Sequence, residues 1–122
     1  MPDLAGIRVL VVEDEGAVAF MIEEMLEDLG CVVAASVASI ARAEDAVRSL
    51  AFDAVVLDVN LAGATTFDLA RELDRRRLPY VFSTGYGGAG LPPDIRDRPV
   101  LTKPFAASDL QHAIKSALSA AL

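Results

Sequence analysis

Short continuous apolar runs alternate along the chain with longer stretches in which apolar residues recur every third or fourth position, the signals of buried strands and one-sided helices. Ile7 to Val12 reads as the first strand, apolar apart from Arg8, and stops at Glu13-Asp14-Glu15. A helix is expected from Gly16 to Leu29, with Phe20, Met21, Met25, Leu26 and Leu29 inward and Glu23, Glu24, Glu27 and Asp28 toward water. Gly30 stands just past its end, where a left-handed residue often closes a helix. Val32 to Ala35 makes a short second strand. Ser39 is a suitable N-cap for a helix to Leu50, with Ile40, Ala43, Val47 and Leu50 as its inner stripe. Phe52 to Asp58 reads as the third strand, apolar on both faces as a strand covered by two helical layers must be.

The loop Val59 to Ala64 leads to Thr65 or Thr66 as N-cap of a third helix, which runs to Arg77 and ends at Leu78-Pro79. Arg75, Arg76 and Arg77 fall in its last turn and read as a solvated helix end that suits the dipole, with a docking patch as the other reading. Tyr80 to Thr84 is the fourth strand. The alternation asks for a helix next, but Gly85, Gly87, Gly88, Gly90, Pro92 and Pro93 oppose one, so a short, irregular or mobile helix is expected there. Val100 to Thr102 is the fifth strand, and Leu110, Ala113, Ile114, Ala117, Leu118 and Ala121 mark a final helix. His112 lies off that stripe and reads as exposed. A β-α unit repeated in this way predicts a doubly wound α/β fold: a five-stranded parallel sheet with helices on both faces and right-handed crossovers.

Length and charge narrow the function. The 122 residues suit one domain, 1–122, with no output domain expected. With 11 Lys and Arg against 18 Asp and Glu, a net charge of -7, direct nucleic-acid binding is disfavoured, because it rests on cations meeting phosphates. The single cysteine, Cys31, precludes an internal disulfide, fits a reducing compartment and reads as a small buried hydrophobe. The N-terminus lacks the basic-then-apolar order of a signal peptide, and no apolar run approaches the ~18 residues of a membrane span, so a cytoplasmic protein without a membrane segment is expected.

In a parallel sheet all the carboxyl ends share one edge, where open α/β folds place their ligands. There the first strand delivers Glu13 and Asp14, the third Asp58, the fourth Ser83 and Thr84, and the fifth Thr102 and Lys103. Alone, Asp58 could simply cap the following loop. Gathered carboxylates repel unless a cation offsets them, and an all-oxygen set without His or Cys favours Mg²⁺ over zinc. A metal, an ammonium and a hydroxyl around a carboxylate able to attack phosphorus in line are the parts of phosphoryl transfer, with an acyl phosphate on Asp58 as product.

Glu13-Asp14, Asp58, Thr84 and Lys103-Pro104-Phe105, in this order along nearly the whole chain, resemble the signature of response-regulator receiver domains, the CheY-like phosphoacceptors of two-component signalling. The resemblance implies a flavodoxin-like strand order 2-1-3-4-5. It implies Asp58 as phosphoacceptor, and Mg²⁺ held by Asp14, Glu13, Asp58 and the backbone carbonyl of Asn60. It also implies Thr84 and Lys103 as phosphoryl contacts, and a cis Lys103-Pro104 bond. Phe82-Ser83-Thr84-Gly85-Tyr86-Gly87 further resembles the Phe-Ala-Thr-Gly motif of an alphaproteobacterial, often single-domain, receiver subgroup, with Ser83 in place of Ala. The partners implied are a sensor histidine kinase, of HWE/HisKA_2 type for that subgroup, and a downstream protein target or phosphotransferase. The protein would be a monomer or weak dimer.

The chain departs from the family's pattern where Val100 replaces the usual switch aromatic, where Ala62 replaces a common proline, and in the glycine-rich stretch after Thr84. Tyr86 is a candidate substitute for the aromatic, or an aromatic buried over the loop. A signalling switch rather than a turnover enzyme is expected. Two other readings stand beside it: an adaptor with a vestigial pocket, and an aspartate-nucleophile phosphatase of the haloacid-dehalogenase class. The second is opposed by Asp58-Val59-Asn60, which lacks the second acid of Asp-x-Asp.

Overall fold

A computed structural model describes residues 4–85 and 90–120. Its five-stranded parallel sheet runs β1 (Arg8–Val12), β2 (Val32–Val37), β3 (Ala54–Asp58), β6 (Tyr80–Thr84) and β7 (Val100–Thr102) in sequence, and β2-β1-β3-β6-β7 in space. Left aside are β4 (Asn60–Leu61) and β5 (Ala64–Thr65), the arms of a separate two-residue antiparallel hairpin. Without them the order is the expected 2-1-3-4-5. The helices are α1 (Gly16–Asp28), α2 (Ile40–Ser49), α3 (Phe67–Arg75) and α4 (Ala107–Ala120). No helix among the described residues is long and apolar enough to cross a membrane.

The sheet divides the core in two. On one face Val9, Val11, Ala54, Val56, Val81 and Leu101 pack with Ile22 and Leu26 of α1 and with Leu110, Ile114 and Ala117 of α4. On the other, Leu10, Val12, Val55, Leu57, Tyr80 and Phe82 pack with Ala43 and Val47 of α2 and with Leu69, Ala70 and Leu73 of α3. Side chains alternate between faces along each strand. β1 and β3 therefore need apolar residues at every inner position, which is the continuous pattern their sequences carry.

Several local expectations are corrected by packing. Phe20 is 61% exposed rather than inward, because the stripe that meets the sheet is Ala19, Ile22 and Leu26, and Phe20 lies about 100° around the helix from Ala19. Leu50 is 42% exposed, because α2 ends at Ser49 and its inner residues are Ala43, Ala46 and Val47. β2 extends to Val37, its pairing with β1 shifted in register between Val9 and Leu10. α3 stops at Arg75, and Arg75 and Arg76 both pair with Glu72, as a solvated helix end does. The Ser39 hydroxyl caps α2, accepting from the Arg42 amide at 3.2 Å. Cys31 is buried, and burial raises its thiol pKa.

Between β6 and β7 the described residues 90–99 form turns rather than a helix, with the Ile95 amide donating to the Pro92 carbonyl at 3.1 Å. Tyr86, and the rest of 86–89 of the glycine-rich stretch, lie outside the described residues, as does Ala121. The Lys103-Pro104 bond is cis.

At the sheet's amino edge Asp53 accepts from the Arg8 amide at 2.8 Å and from its guanidinium at 3.3 Å. The amide bond first, then the guanidinium, hold its carboxyl below the usual range. A lowered folded value means that its contribution is present above the ordinary Asp pKa and is lost as pH falls through the folded one. Asp53→Asn is expected to cost about 1 kcal/mol at neutral pH and to flatten the acid limb of stability against pH, read by urea unfolding from pH 7 downward. A parallel acid limb would contradict this. Gly30 has φ +87°, and a Cβ there would meet the Ala5 Cα at 3.3 Å. Gly30→Ala is expected to cost roughly 1–2 kcal/mol, read as a fall in thermal midpoint.

Candidate functional site

Alternation along the strands explains which groups meet. Two residues after Val11, Val56 and Leu101, all on the α1/α4 face, come Glu13, Asp58 and Lys103. The Lys103 ammonium donates to Glu13 Oε1 at 3.0 Å and to Asp58 Oδ2 at 3.2 Å, joining chain segments 90 and 45 residues apart. Glu13 and Asp58 are buried and Lys103 is partly so. Asp14 is exposed at the rim.

One oxygen from each of Glu13, Asp14 and Asp58 can be chosen so that all three lie within 4.8 Å of one another. One lysine leaves this triad with net negative charge. Burial pushes the Glu13 carboxyl up, against the lowering pull of the Glu15 amide and Lys103, and Asp58 adds to the rise. For Lys103, burial pulls the ammonium down, but the hydrogen bonds to Glu13 and Asp58 outweigh it and its pKa rises. The strain in the site is thus an excess of carboxylate, and the donor set is entirely oxygen. Those features fit a small hard divalent cation.

The loop after Asp58 is a built element. Ala62 (φ 52°) and Gly63 (φ 87°) occupy the two loop positions of the hairpin, where a type I′ turn needs positive φ at both. A proline, fixed near −65°, could not take the place of Ala62. The Ala62 amide donates to Asp14 Oδ2 at 3.1 Å, and the Asn60 amide donates to Asp58 Oδ1 at 3.2 Å. Asn60 Oδ1 accepts from the Gly63 amide at 3.1 Å. Thr66 occupies the N-cap position of α3, but its hydroxyl donates instead to the Asp58 carbonyl at 2.6 Å, anchoring the end of the hairpin under the site. Neither the Ala62 amide nor the Thr66 hydroxyl had a role legible from the sequence. A turn-compatible glycine at 63 was the one local clue to a hairpin.

On β6, Ser83 is the lateral partner of Asp58, and Thr84 pairs with Thr102 one step nearer the edge. Both are buried. The Lys103 amide donates to the Thr84 carbonyl at 2.8 Å, tying the two strand ends together. Thus the carboxylates, Thr84 and Lys103 stand at one edge, Asn60 beside them through its backbone amide. His112 is exposed on α4.

Residues 9–115 match the response regulator receiver domain family. The transcriptional regulatory protein TcrA of Mycobacterium tuberculosis is 37% identical over 114 residues, covering 88% of this chain and 44% of TcrA. The chain spans about half the length of the curated relatives it matches. Among solved structures, SdrG from Sphingomonas melonis Fr1 is 37% identical with a TM-score of 0.78, covering 95% of this chain and 96% of SdrG. The receiver domain of Erythrobacter litoralis PhyR is 28% identical with a TM-score of 0.81, covering 94% and 92%. With the strand order, the acidic edge and the matched segment agreeing, this chain belongs to the response regulator receiver domain family.

Proposed function

We propose that Asp58 accepts a phosphoryl group from a phosphohistidine on a sensor histidine kinase, and that the acyl phosphate is the signalling state. The observation that carries this reading is the single ammonium of Lys103 held against both Glu13 and Asp58 in a cluster that still has more negative than positive charge. Glu13, Asp14, Asp58 and the backbone carbonyl of Asn60 would hold Mg²⁺, consistent with the all-oxygen set of side chains. Bound there, the ion would neutralise charge on the phosphoryl oxygens.

The chain's own groups do the rest. An Asp58 carboxyl oxygen attacks phosphorus, the N–P bond to the donor imidazole breaks, and its electron pair stays on the imidazole. Asn60 orients Asp58 through the amide bond to Oδ1. Lys103 exchanges its bond to Asp58 Oδ2 for one to a phosphoryl oxygen while Glu13 keeps it in place. Thr84 donates its hydroxyl to another phosphoryl oxygen from the adjoining strand end. The protein is a switch rather than a turnover enzyme, and it acts in the cytoplasm by binding a protein target or by passing the phosphoryl group on. The subgroup motif around Thr84 favours a kinase of the HWE/HisKA_2 type.

With acetyl phosphate and Mg²⁺, the wild type is expected to gain one phosphoryl group by intact-mass spectrometry and Asp58→Asn none; equal labelling of the variant would remove Asp58 from the role. Lys103→Ala is expected to slow labelling on the order of a hundredfold, as loss of one preorganised charge-stabilising donor does. Asp14→Asn is expected to weaken Mg²⁺ binding, followed by calorimetric titration, by about tenfold or more, since affinity follows the number of charged ligands. Unchanged affinity would move the ion elsewhere.

A further inference from the structure

Among the described residues, the Ser83 hydroxyl is the one buried side-chain polar atom without a hydrogen-bond partner. Ser83 is 1% exposed, so bulk solvent does not reach it. Native interiors pair nearly all such groups, and leaving one unpaired costs stability. Its backbone is fully engaged: the Ser83 carbonyl accepts from the Val59 amide at 3.0 Å, and the strand pairs on both sides. Only the hydroxyl is idle.

Its position is specific. Ser83 is two residues after Val81, so it lies on the α1/α4 face, the face of Glu13, Asp58 and Lys103. Asp58 is its direct lateral partner, and neighbouring strands lie about 4.8 Å apart. Asp58 has acceptor capacity to spare. A carboxylate offers roughly four lone-pair sites; the Asn60 amide and Lys103 fill one each, both at 3.2 Å, and the Mg²⁺ proposed above would take a third, which leaves one, and a second on Oδ2 once Lys103 has turned away. Rotation about one side-chain bond redirects a serine hydroxyl without moving the backbone.

We propose that Ser83 is a further catalytic group of the Asp58 site, acting when the acyl phosphate is hydrolysed. The inference rests on the phosphoacceptor reading of Asp58. Once Lys103 has turned to a phosphoryl oxygen, Ser83 donates to the Asp58 carboxyl oxygen that does not carry phosphorus. In hydrolysis a water oxygen bonds to phosphorus and the bond from phosphorus to the Asp58 oxygen breaks. Its electron pair returns to Asp58 as carboxylate, the water proton passes to solvent, and inorganic phosphate leaves. Negative charge grows over both carboxyl oxygens as that bond breaks. A donor on the free one therefore stabilises the transition state more than the acyl phosphate and speeds hydrolysis. An apolar side chain at this position would be the better-packed choice for the resting protein and could not do this.

The test is the decay of the labelled protein. Wild type, Ser83→Ala and Ser83→Cys are loaded with acetyl phosphate and Mg²⁺, freed of acetyl phosphate, and followed by intact mass. Ser83→Ala is expected to decay roughly fivefold more slowly, the effect of one neutral hydrogen bond, and Ser83→Cys, with a similar shape and a weaker donor, to fall between. The unphosphorylated Ser83→Ala protein is expected to melt no lower than wild type, since no hydrogen bond is lost there. Decay of Ser83→Ala at or above the wild-type rate overturns the proposal while leaving Asp58 as acceptor. A wild type that takes up no phosphoryl group overturns both.

Discussion

The ammonium of Lys103 between Glu13 and Asp58 is the interaction on which the site depends. Without it two almost wholly buried carboxyl groups would face each other with no counter-charge, which burial and mutual repulsion both oppose. The lysine is also confined. Its backbone amide is bonded to the Thr84 carbonyl at 2.8 Å, and a cis bond to Pro104 follows. Four strand ends, those of β1, β3, β6 and β7, are therefore locked to one another by one side chain and one amide. Burial makes the pair worth having only while all its members are present, since a buried charge left alone is far costlier than an exposed one.

The loop that follows Asp58 supports this cluster from the other side. Its hairpin directs two backbone amides at carboxylates, Asn60 at Asp58 and Ala62 at Asp14, and the buried Thr66 hydroxyl fastens the end of the hairpin to the Asp58 carbonyl. Backbone donors suit this task because they carry no counter-charge and leave the net negative charge of the triad intact. Alanine at position 62 is part of the device: it supplies an N–H and tolerates the positive φ, and proline does neither. The replacement of a residue common in receiver domains thus has a local physical reason in this chain.

Charge is distributed unevenly along the chain. Between Arg8 and Arg42 the sequence contains Glu13, Asp14, Glu15, Glu23, Glu24, Glu27 and Asp28 and no lysine or arginine. Elsewhere most cations are already matched, as Arg71 is with Asp94 and Asp68, and Arg98 with Asp74 and Asp97. Exposed pairs of that kind add little stability each.

The alternation of strands and helices, the parallel sheet and the residue types at its carboxyl edge were legible in the chain alone. Continuous apolar runs ending in Glu13, Asp58 and Lys103 are signals that survive without any tertiary information, because a strand covered on both faces has no freedom to be polar. The failures were of another kind. Phe20 and Leu50 are apolar residues in apolar stripes, and only the angle at which α1 and the end of α2 meet the sheet left them outside. The hairpin from Asn60 to Thr65 was invisible because its stability comes from contacts to Asp14 and Asp58 that lie far off in sequence or point backward from the loop. Ser83 read as a strand-end residue at the carboxyl edge and as a replacement of Ala in a motif, with no role of its own; burial beside Asp58 without a partner is a property of packing, which no single position in a chain encodes.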